Sequence, residues 1–300
     1  MALYTAYGLT IESDMALPGV EPGSGEPDVQ IRNRPLPDDV VNAREQGDQW
    51  IWGTYRGDMG RVLVADGKEV SIDLYANELE AAIVGTVLGE LMATLLRQRG
   101  LLVFHASAVA DAEGRVVAVA GESGWGKSTL AEYMCQNGYT LLSDDTLVVD
   151  FDADGVPFAI PSYGQIRLVK DAAAHLVSDE SLLLPLDRAG HKLAREDHAL
   201  ADRPLPLRAL FLLENQFRDE LAAVEIPAQE ALMRLIVHTR ANSLVETNTP
   251  GLIRDHLDRC ARLLRSVPVK MLHRRRALDE LPAIQSLIEE AMAPDTPVQG

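Results

Sequence analysis

The residues Gly121-Glu-Ser-Gly-Trp-Gly-Lys127-Ser128 decide the fold of this chain. They lie between the apolar run Val116–Ala120 and a helix-like segment, residues 129–136, so the spacing G-x-x-x-x-G-K-[ST] falls on a strand-to-helix junction. In such a loop the glycines allow the backbone to turn successive N–H groups inward, towards phosphate oxygens. The positive end of the following helix adds to the same anion site. The stretch therefore predicts a phosphate-binding loop.

Nine consecutive residues of this stretch are expected to contact the nucleotide. Lys127 can reach the β- and γ-phosphates, and Ser128 can offer its hydroxyl to Mg²⁺, so we expect ATP and Mg²⁺ as cofactors. The alternative is a glycine-rich turn with a solvated lysine, which does not explain why every fixed position of the motif coincides with the junction. The nine residues are Gly121, Glu122, Ser123, Gly124, Trp125, Gly126, Lys127, Ser128 and Thr129.

Composition limits the class of protein and its partners. The 300 residues are 47% hydrophobic, which suffices for a substantial core, and we favour two domains over one. The net charge of −17 argues against nucleic acid as a partner, because affinity for a phosphate backbone comes from clustered Lys and Arg. Cys135 and Cys260 are too few for a disulfide framework and are expected to be reduced thiols.

The sequence shows no signal for secretion or for a membrane span. Residues 1–7 lack a basic stretch followed by an apolar one, as a signal peptide requires. The most apolar long window, residues 79–96, is interrupted by Glu80 and Glu90. We therefore expect a cytoplasmic protein with no membrane partner.

Turn signals divide residues 1–76 into short alternating strands. Gly and Pro breakers separate the runs, and Asp66-Gly67 between two of them is a hairpin signal. This pattern predicts a small N-terminal antiparallel β module. The runs are residues 4–11, 28–32, 50–56, 60–65 and 69–74.

Residues 77–100 predict a connecting helix, which begins at the N-cap Asn77 and stops at Gly100. Residues 101–292 are predicted to be the catalytic domain, and residues 293–300 a flexible tail. The apolar residues of the connecting helix keep helical spacing and should pack on a core. They are Leu79, Ile83, Val87, Leu91 and Leu95.

Two carboxylates follow the apolar strand that comes after the loop's helix. Asp144 and Asp145 stand at the carboxyl end of that strand, where a parallel α/β sheet binds its ligand. Adjacent side chains leaving a strand point to opposite sides, so one carboxylate can serve Mg²⁺ and the other an acceptor hydroxyl. The alternative is an acidic turn without a catalytic role.

His105 interrupts the apolar strand of residues 101–110, which is predicted to pair with the strand that enters the loop. A lone histidine in such a run is more often a satisfied core residue. The predicted pairing would also let its side chain reach the γ-phosphate region. The spacing leaves both interpretations open.

The middle of the chain, residues 151–208, is proline-rich and predicted to be irregular. A segment of this kind is usually a functional loop or lid, or else partly disordered. It carries Arg167, Lys192 and Arg195, and a guanidinium such as that of Arg167 could neutralise transition-state charge. The free strand edges of the N-terminal module are a second candidate surface for an extended peptide.

His105, the loop from Gly121 to Ser128 and the Asp144-Asp145 pair together resemble the catalytic domain of HPr kinase/phosphorylase. The resemblance covers residues 101–149, and Gln165-Ile-Arg167 is similar to that family's Arg-containing signature segment. It implies an α/β fold with a P-loop HPr kinase C-terminal-like core, akin to phosphoenolpyruvate carboxykinase. The small N-terminal antiparallel β module would be added to that core.

The resemblance also implies a role for each matched residue. Lys127 would bind the phosphates. Ser128 and Asp145 would hold Mg²⁺. Asp144 would be the general base towards a serine hydroxyl, and His105 would be its partner in the catalytic site.

The N-terminal module differs from that family's regulatory domain. The chain is more similar to the stand-alone HPr-kinase-related proteins, some of which phosphorylate a serine of a ribosomally made precursor peptide such as a lasso peptide. The resemblance thus implies an ATP- and Mg²⁺-dependent serine kinase whose partner is a peptide or protein.

Two other functions use the same loop. One is a nucleotide-dependent switch or regulatory ATPase, and the other is a kinase of a small molecule. The chain has no Asn-Lys-x-Asp segment for guanine selection and no Leu-Ser-Gly-Gly-Gln-like signature, which argues against a GTPase switch and a transporter ATPase. The identity of the acceptor and the presence of a homo-oligomer stay open.

Overall fold

A computed structural model describes residues 1–36, 44–46, 49–55, 60–76, 80–186, 191–214, 218–240 and 250–292. Within these ranges the chain is mixed α/β, with three β-sheets and helices on both faces of the central one. In the part of the chain so described, no helix combines the length and the apolar composition that crossing a bilayer requires.

The N-terminal residues form one sheet with the strand order β3-β1-β2-β4-β8-β7-β6-β5. The prediction of an antiparallel module is confirmed for the other strand pairs and wrong at β4, which pairs in parallel with both β2 and β8. The reason is that β3 returns to the far side of β1, so the chain enters β4 in the direction of β2. The strands are β1 (Ala2–Ala6), β2 (Leu9–Ser13), β3 (Glu21–Pro22), β4 (Val29–Asn33), β5 (Arg44–Gln46), β6 (Gln49–Tyr55), β7 (Gly60–Ala65) and β8 (Glu69–Leu74).

A two-residue turn joins β1 to β2, and a three-residue turn, residues 66–68, joins β7 to β8. Asp66 and Gly67 have φ values of 55° and 62°, which confirms the predicted hairpin. The single strand predicted over residues 4–11 is wrong, because Tyr7 and Gly8, with φ of 57° and 69°, turn the chain back on itself. A left-handed conformation costs a bulky residue about 1–2 kcal/mol, so tyrosine gives no turn signal.

The connecting helix has three parts: α1 (Glu80–Thr86), a π-helical turn (Val87–Leu91) and α2 (Met92–Gln98). Gly100, with φ of 81°, ends it as predicted. The predicted cap Asn77 and the apolar Leu79 lie outside the described residues. The remaining apolar residues on the predicted stripe, Ile83, Val87, Leu91 and Leu95, are fully buried against the first sheet. The helical spacing gave no sign of the π-helical turn.

The central sheet carries the predicted phosphate loop. Its path is β12-β10-β11-β18-β14-β13-β9, and β20 pairs with β18 and β19. The strands from here on are β9 (Leu102–Phe104), β10 (Ala106–Ala110), β11 (Val116–Ala120), β12 (Thr140–Ser143), β13 (Leu147–Phe151), β14 (Pro157–Ile160), β15 (Ile166–Val169), β16 (Leu183–Pro185), β17 (Lys192–Arg195), β18 (Leu205–Leu213), β19 (Ala222–Glu225) and β20 (Val269–His273).

The direction of β12 brings its carboxyl end to the loop. Only β11, β18 and β20 pair in parallel in this sheet as far as the structure describes it. β12 is antiparallel to β10, which is itself antiparallel to β11. β12 and β11 therefore run the same way, and both end at the same edge of the sheet.

Helices cover both faces of the central sheet, and each fully buried residue of β11 faces one layer or the other. On one face lie α3 (Lys127–Gln136), α4 (Lys170–Leu176) and α7 (Leu281–Met292). On the other lie α5 (Ala228–Val237) and α6 (Pro250–Ser266). Gly138, with φ of 94°, follows α3 in the left-handed conformation that commonly ends a helix.

The middle of the chain is folded, so the prediction of an irregular segment is wrong. β13 and β14 belong to the central sheet, whereas β15, β17 and β16 form a separate antiparallel sheet in that order. The prolines fall at strand ends or outside the ladders, where a missing N–H costs little. The interpretation of this region as a lid stays a prediction.

The N-terminal sheet shares its core with the rest of the chain. The cluster around Ile11 and the connecting helix also contains Val103, Val148, Ile160 and Tyr163 from beyond residue 100. The predicted boundaries at residues 76 and 100 stay a prediction, and the predicted tail, residues 293–300, lies outside the described residues.

A buried carboxylate fastens α3 to the segment after β17. Glu132 is fully buried and accepts hydrogen bonds from Gln136 at 2.6 Å, Arg195 at 2.5 Å and His198 Nε2 at 2.7 Å. Burial alone would raise the pKa of Glu132, but the His198 hydrogen bond and the neighbouring charges outweigh it and lower that pKa. The helix of the predicted loop is thereby tied to the sheet that carries Arg167.

We expect Glu132→Gln to lower the free energy of unfolding by about 3 kcal/mol at pH 7, because it breaks a buried ion pair. A lowered carboxyl pKa stabilises the fold at neutral pH, and this contribution is lost as pH falls through the folded-state pKa. The gap between wild type and variant in urea unfolding should therefore shrink towards acidic pH. A gap that stays constant from pH 7 into that acidic range would contradict the assignment.

Candidate active site

The predicted phosphate loop connects β11 to α3 through residues 121–126. Gly124 and Gly126 have φ values of 84° and 96°, in the left-handed region that favours glycine. At Gly121 space is limiting, because an added Cβ would lie 3.0 Å from both Leu213 Cβ and the Trp125 ring. The glycines of the motif are thus required by conformation at two positions and by close packing at the third.

Lys127 begins α3 and is 5% exposed. Its Nζ donates to the Glu122 carbonyl at 2.9 Å and lies 3.0 Å from His105 Nε2. Burial lowers the pKa of Lys127 to about 8, although the charges of Asp144 and Asp145 oppose this shift. The amine is poised between its charged and neutral forms near physiological pH, and an anion placed beside it would favour the charged form.

A cavity of about 170 Å³ lies beside this lysine and brings most of the predicted site residues together. Glu122 contributes its carbonyl to Lys127, and its side chain is exposed. The lining residues are His105, Ser123, Gly124, Gly126, Lys127, Ser128, Thr129, Asp144, Asp145, Arg167, Val169 and Lys192. The third predicted cation of the middle segment, Arg195, does not line this cavity and is bonded to Glu132 instead.

Asp144 is held by neutral donors. It is 2% exposed, and its two oxygens accept hydrogen bonds from the Ser107 hydroxyl and from the backbone N–H of Arg167, the latter at 2.9 Å. Each oxygen keeps a further lone pair. Asp144 can therefore accept a proton or a metal ion from the cavity side.

Asp145 is held by cations and lines the same cavity as Asp144; the predicted division of roles between the two stays a prediction. Arg240 donates to both of its oxygens, at 2.6 and 3.2 Å, while Arg167 Nη1 lies 3.6 Å and His105 Nδ1 3.1 Å away. Burial alone would raise the pKa of Asp145, but the His105 hydrogen bond and the two guanidinium charges together lower it. A carboxylate so stabilised is a poor proton acceptor.

Arg240 was missed by the sequence analysis. It follows α5 and is fixed by its backbone: its N–H donates to the Val103 carbonyl at 2.9 Å, and its own carbonyl accepts from Arg97 at 3.2 Å. Its Nη1 lies 2.6 Å from His105 Nδ1. No motif surrounds this arginine, and 95 residues separate it from Asp145, so its sequence gave no usable signal.

His105 lies where the first strand of the core breaks into β9 and β10. Its backbone N–H donates to the His238 carbonyl at 2.8 Å, outside the ladder. Its ring is half-buried between Lys127 and Arg240, and a neutral imidazole can accept a hydrogen bond from one of these two cations. The structure thus places His105 in the site; the catalytic role stays a prediction.

Arg167 projects from β15 and is oriented by two neighbours. Its Nε donates to Gln165 Oε1 at 3.0 Å, and its Nη2 donates to the Tyr163 hydroxyl at 2.9 Å. The backbone N–H of the same residue binds Asp144, while the side chain faces Asp145. Arg167 therefore contacts both carboxylates and orders them relative to each other.

The oxygen ligands around the cavity suit Mg²⁺. Among the described residues, no group of three or more His, Cys, Asp or Glu is arranged as a metal cage. Mg²⁺ is usually held by one or two carboxylates together with substrate phosphates, and Ser128, Asp144 and Asp145 line the same cavity. These residues fit a metal ion that arrives with a nucleotide, with Ser128 and a carboxylate as its protein ligands.

A second, more apolar cavity of about 260 Å³ adjoins the first on the other side of the loop. The two share Gly124, Gly126, Thr129 and Val169. Arg274, just after β20, donates to the Trp125 carbonyl and so joins the loop to the wall of this cavity. The other lining residues are Trp125, Leu130, Asp171, Ala172, Leu213, Arg276, Ala277, Leu278, Leu281 and Ile284.

Comparison with known proteins gives little beyond the geometry. No protein-family model matches the chain, and no curated protein matches it. Among solved structures it is similar to the Hpr(Ser) kinase/phosphatase from Coxiella burnetii, with 12% identity, a TM-score of 0.32 and coverage of 63% of this chain and 95% of that one. At this TM-score the likeness carries no argument, and function must be inferred from the residues of the site.

We expect Lys127 to titrate near pH 8 in the free protein, and NMR of its side chain can measure the midpoint. Asp144→Asn should lower the midpoint further, because the negative charge that opposes the burial effect is removed. Asp154→Asn, at an exposed turn, should leave it unchanged. A wild-type midpoint above pH 10 would mean that Lys127 is solvated.

Proposed function

We propose that the chain is an ATP- and Mg²⁺-dependent kinase that transfers the γ-phosphoryl group to a serine hydroxyl of a peptide or protein. The observation that carries this proposal is that one cavity is lined by groups with different partners and charges. Lys127 and Ser128 face it from the predicted phosphate loop, Asp144 faces it with neutral hydrogen-bond partners, and Asp145 faces it with guanidinium partners.

The two cavities together match the two halves of a nucleoside triphosphate. The polar cavity beside Lys127 suits the phosphates, whereas the apolar one suits a planar base and its ribose. Because both are bounded by Gly124 and Gly126, a ligand that spans them would cross the loop at its glycines. The nucleoside would lie against Trp125 and Leu278.

The proposed transfer needs a proton acceptor near the serine. As the serine oxygen bonds to the γ-phosphorus, the bond from that phosphorus to the β–γ bridging oxygen breaks, and ADP leaves. Asp144 takes the proton of the serine hydroxyl, because Asp145 is stabilised as a carboxylate by its guanidinium partners. A magnesium ion supplies charge neutralisation on the phosphates when bound.

Cations of this chain surround the transferring group. Lys127 and Arg167 line the same cavity, and Lys192 reaches it from β17. Positive groups so fixed stabilise the charge that develops on the phosphoryl oxygens, at no reorganisation cost. His105 Nε2 would accept a hydrogen bond from Lys127, which leaves Nδ1–H to face Asp145.

The small sheet that carries Arg167 has an exposed edge that suits an extended acceptor. β16 is an edge strand of the small sheet within the described residues, and Leu184 and Leu186, at alternate positions, are 49% and 41% exposed. A peptide that adds to such an edge gains main-chain hydrogen bonds and pockets for alternate side chains. This arrangement supports a peptide acceptor over a small molecule.

The test is to incubate the protein with labelled ATP, Mg²⁺ and serine-containing peptides or proteins, ribosomally made precursor peptides among them. Mass spectrometry then locates the label.

Lys127→Ala should greatly weaken ATP binding or turnover, while Lys68→Ala, at an exposed turn, should not. Asp144→Asn should bind ATP yet lose on the order of 10²–10⁴ in rate. Arg167→Ala should lose rate with little change in ATP affinity.

ATP hydrolysis with no labelled acceptor would favour the regulatory ATPase. Label on a small molecule would favour a small-molecule kinase. If Asp145→Asn, rather than Asp144→Asn, lost rate while keeping its Mg²⁺ requirement, the roles of the two aspartates would be reversed. Wild-type ATP affinity and turnover in a folded Lys127→Ala variant would remove the phosphate-loop assignment.

A separate variant tests the proposed nucleoside cavity. Ala172 is 3% exposed and lines only the apolar cavity of the two, so Ala172→Leu should fill space where the base would bind. We expect the KM for ATP to rise roughly tenfold, the weight of one or two misplaced apolar contacts. The affinity for inorganic triphosphate, measured by calorimetry, should stay at the wild-type value. An equal loss for both ligands would place the nucleoside elsewhere.

A further inference from the structure

The connecting helix approaches the carboxylate centre at a glycine. Gly89 lies in the π-helical turn and is buried. A Cβ at this position would meet Arg240 Nη2 at 2.7 Å and Asp145 Oδ2 at 3.5 Å, the same two atoms that form the 2.6 Å ion pair. The ion pair between Arg240 and Asp145 therefore packs directly against the helix backbone at Gly89. A side chain at position 89 would overlap the Arg240 guanidinium.

The N-terminal hairpin holds this turn of the helix. Tyr7 is 2% exposed, and its hydroxyl donates to the carbonyl of Leu88 at 2.6 Å, next to Gly89. Tyr7 takes the left-handed conformation, φ 57°, that an asparagine or glycine would adopt more readily. A strained tyrosine in a tight turn is retained when the surrounding structure requires its side chain.

The same tyrosine also supports the second guanidinium. The Tyr7 ring packs edge-on against Tyr163, with centroids 6.2 Å apart and planes at 78°. The Tyr163 hydroxyl accepts the hydrogen bond from Arg167 Nη2. One residue of the N-terminal sheet thus touches the supports of both arginines that flank Asp145.

We propose that Gly89 and Tyr7 are positioning residues of the active site. Gly89 lets the Arg240 fork close on Asp145, and Tyr7 fixes the π-helical turn and Tyr163 beneath the two guanidiniums. The N-terminal sheet is then a part of the catalytic unit. The expected effect on kcat rests on the proposed kinase function. The expected effect on the position of the Arg240 guanidinium does not.

The first experiment compares two glycines of one helix. Gly89→Ala should push the Arg240 guanidinium off Asp145 and lower kcat on the order of 10²-fold, the loss that a roughly 1 Å misplacement caused by a change outside the reacting groups can produce. The KM for ATP should stay within about twofold, because Gly89 is remote from the phosphate loop's own contacts. Gly85→Ala is the matched control: its Cβ would be 4.0 Å from the nearest atom, Arg167 Nη1, an ordinary contact that requires no shift, and kcat should stay near wild type.

The second readout needs no catalysis. A bidentate ion pair slows rotation of the Arg240 guanidinium, which NMR exchange measurements detect in the free protein, with the signal assigned by Arg240→Lys. Rotation should become faster in Gly89→Ala and stay slow in Gly85→Ala. In an Arg240→Lys background, Gly89→Ala should cause no further loss of kcat, because the two changes act on the same contact.

If Gly89→Ala fails to fold, Tyr7→Phe tests the same positioning role. It removes the hydroxyl that binds Leu88, so it should lower kcat and loosen the Arg240 guanidinium, while Tyr4→Phe on the same hairpin does neither. Should Gly89→Ala match Gly85→Ala, and Tyr7→Phe match Tyr4→Phe, in both readouts, the positioning role is overturned. If wild type transfers no phosphoryl group to any acceptor, the proposed function fails, and the guanidinium measurement alone decides the positioning role.

Discussion

The structure depends on one ion pair, that between Asp145 and Arg240. A half-buried carboxylate is costly unless charges and hydrogen bonds compensate it, and here the compensation comes from three distant parts of the chain. Arg240 follows α5, His105 stands in the break between β9 and β10, and Arg167 projects from β15. Satisfying Asp145 therefore requires these elements to assemble in one arrangement, and that arrangement also shapes the cavity beside Lys127.

The same arrangement explains how two neighbouring aspartates can differ. Both follow the end of β12, and Asp145 takes the left-handed conformation, φ 72°. Asp144 accepts from Ser107, whereas Asp145 accepts from the Arg240 guanidinium. Cations stabilise the charged form of the carboxylate that they contact, as they do at Asp145. Chemistry that needs one proton acceptor and one fixed anion thus obtains both from a single dipeptide.

The N-terminal sheet is joined to the site by packing and by hydrogen bonds. Its core runs without a break into Val103 and Val148 of the central sheet, and the Tyr7 hydroxyl binds the π-helical turn. π-Helical turns occur often at functional sites, because the extra residue in the turn redirects the backbone. In this chain the turn brings Gly89 next to Asp145 and Arg240. The connecting helix therefore packs against the site as well as joining the two sheets.

The sequence by itself determined the elements whose signals are local. The strand-loop-helix around Lys127, the glycine stop at Gly100 and the hairpin at Asp66 each depend on backbone conformations that few residue types adopt, so the residues reveal them. The tertiary structure decided what depends on partners far along the chain: the parallel pairing of β4, the folding of the middle segment and the role of Arg240. Tyr7 shows why, since its turn conformation is unfavourable in isolation and is maintained by the contacts of its side chain with residues 88 and 163.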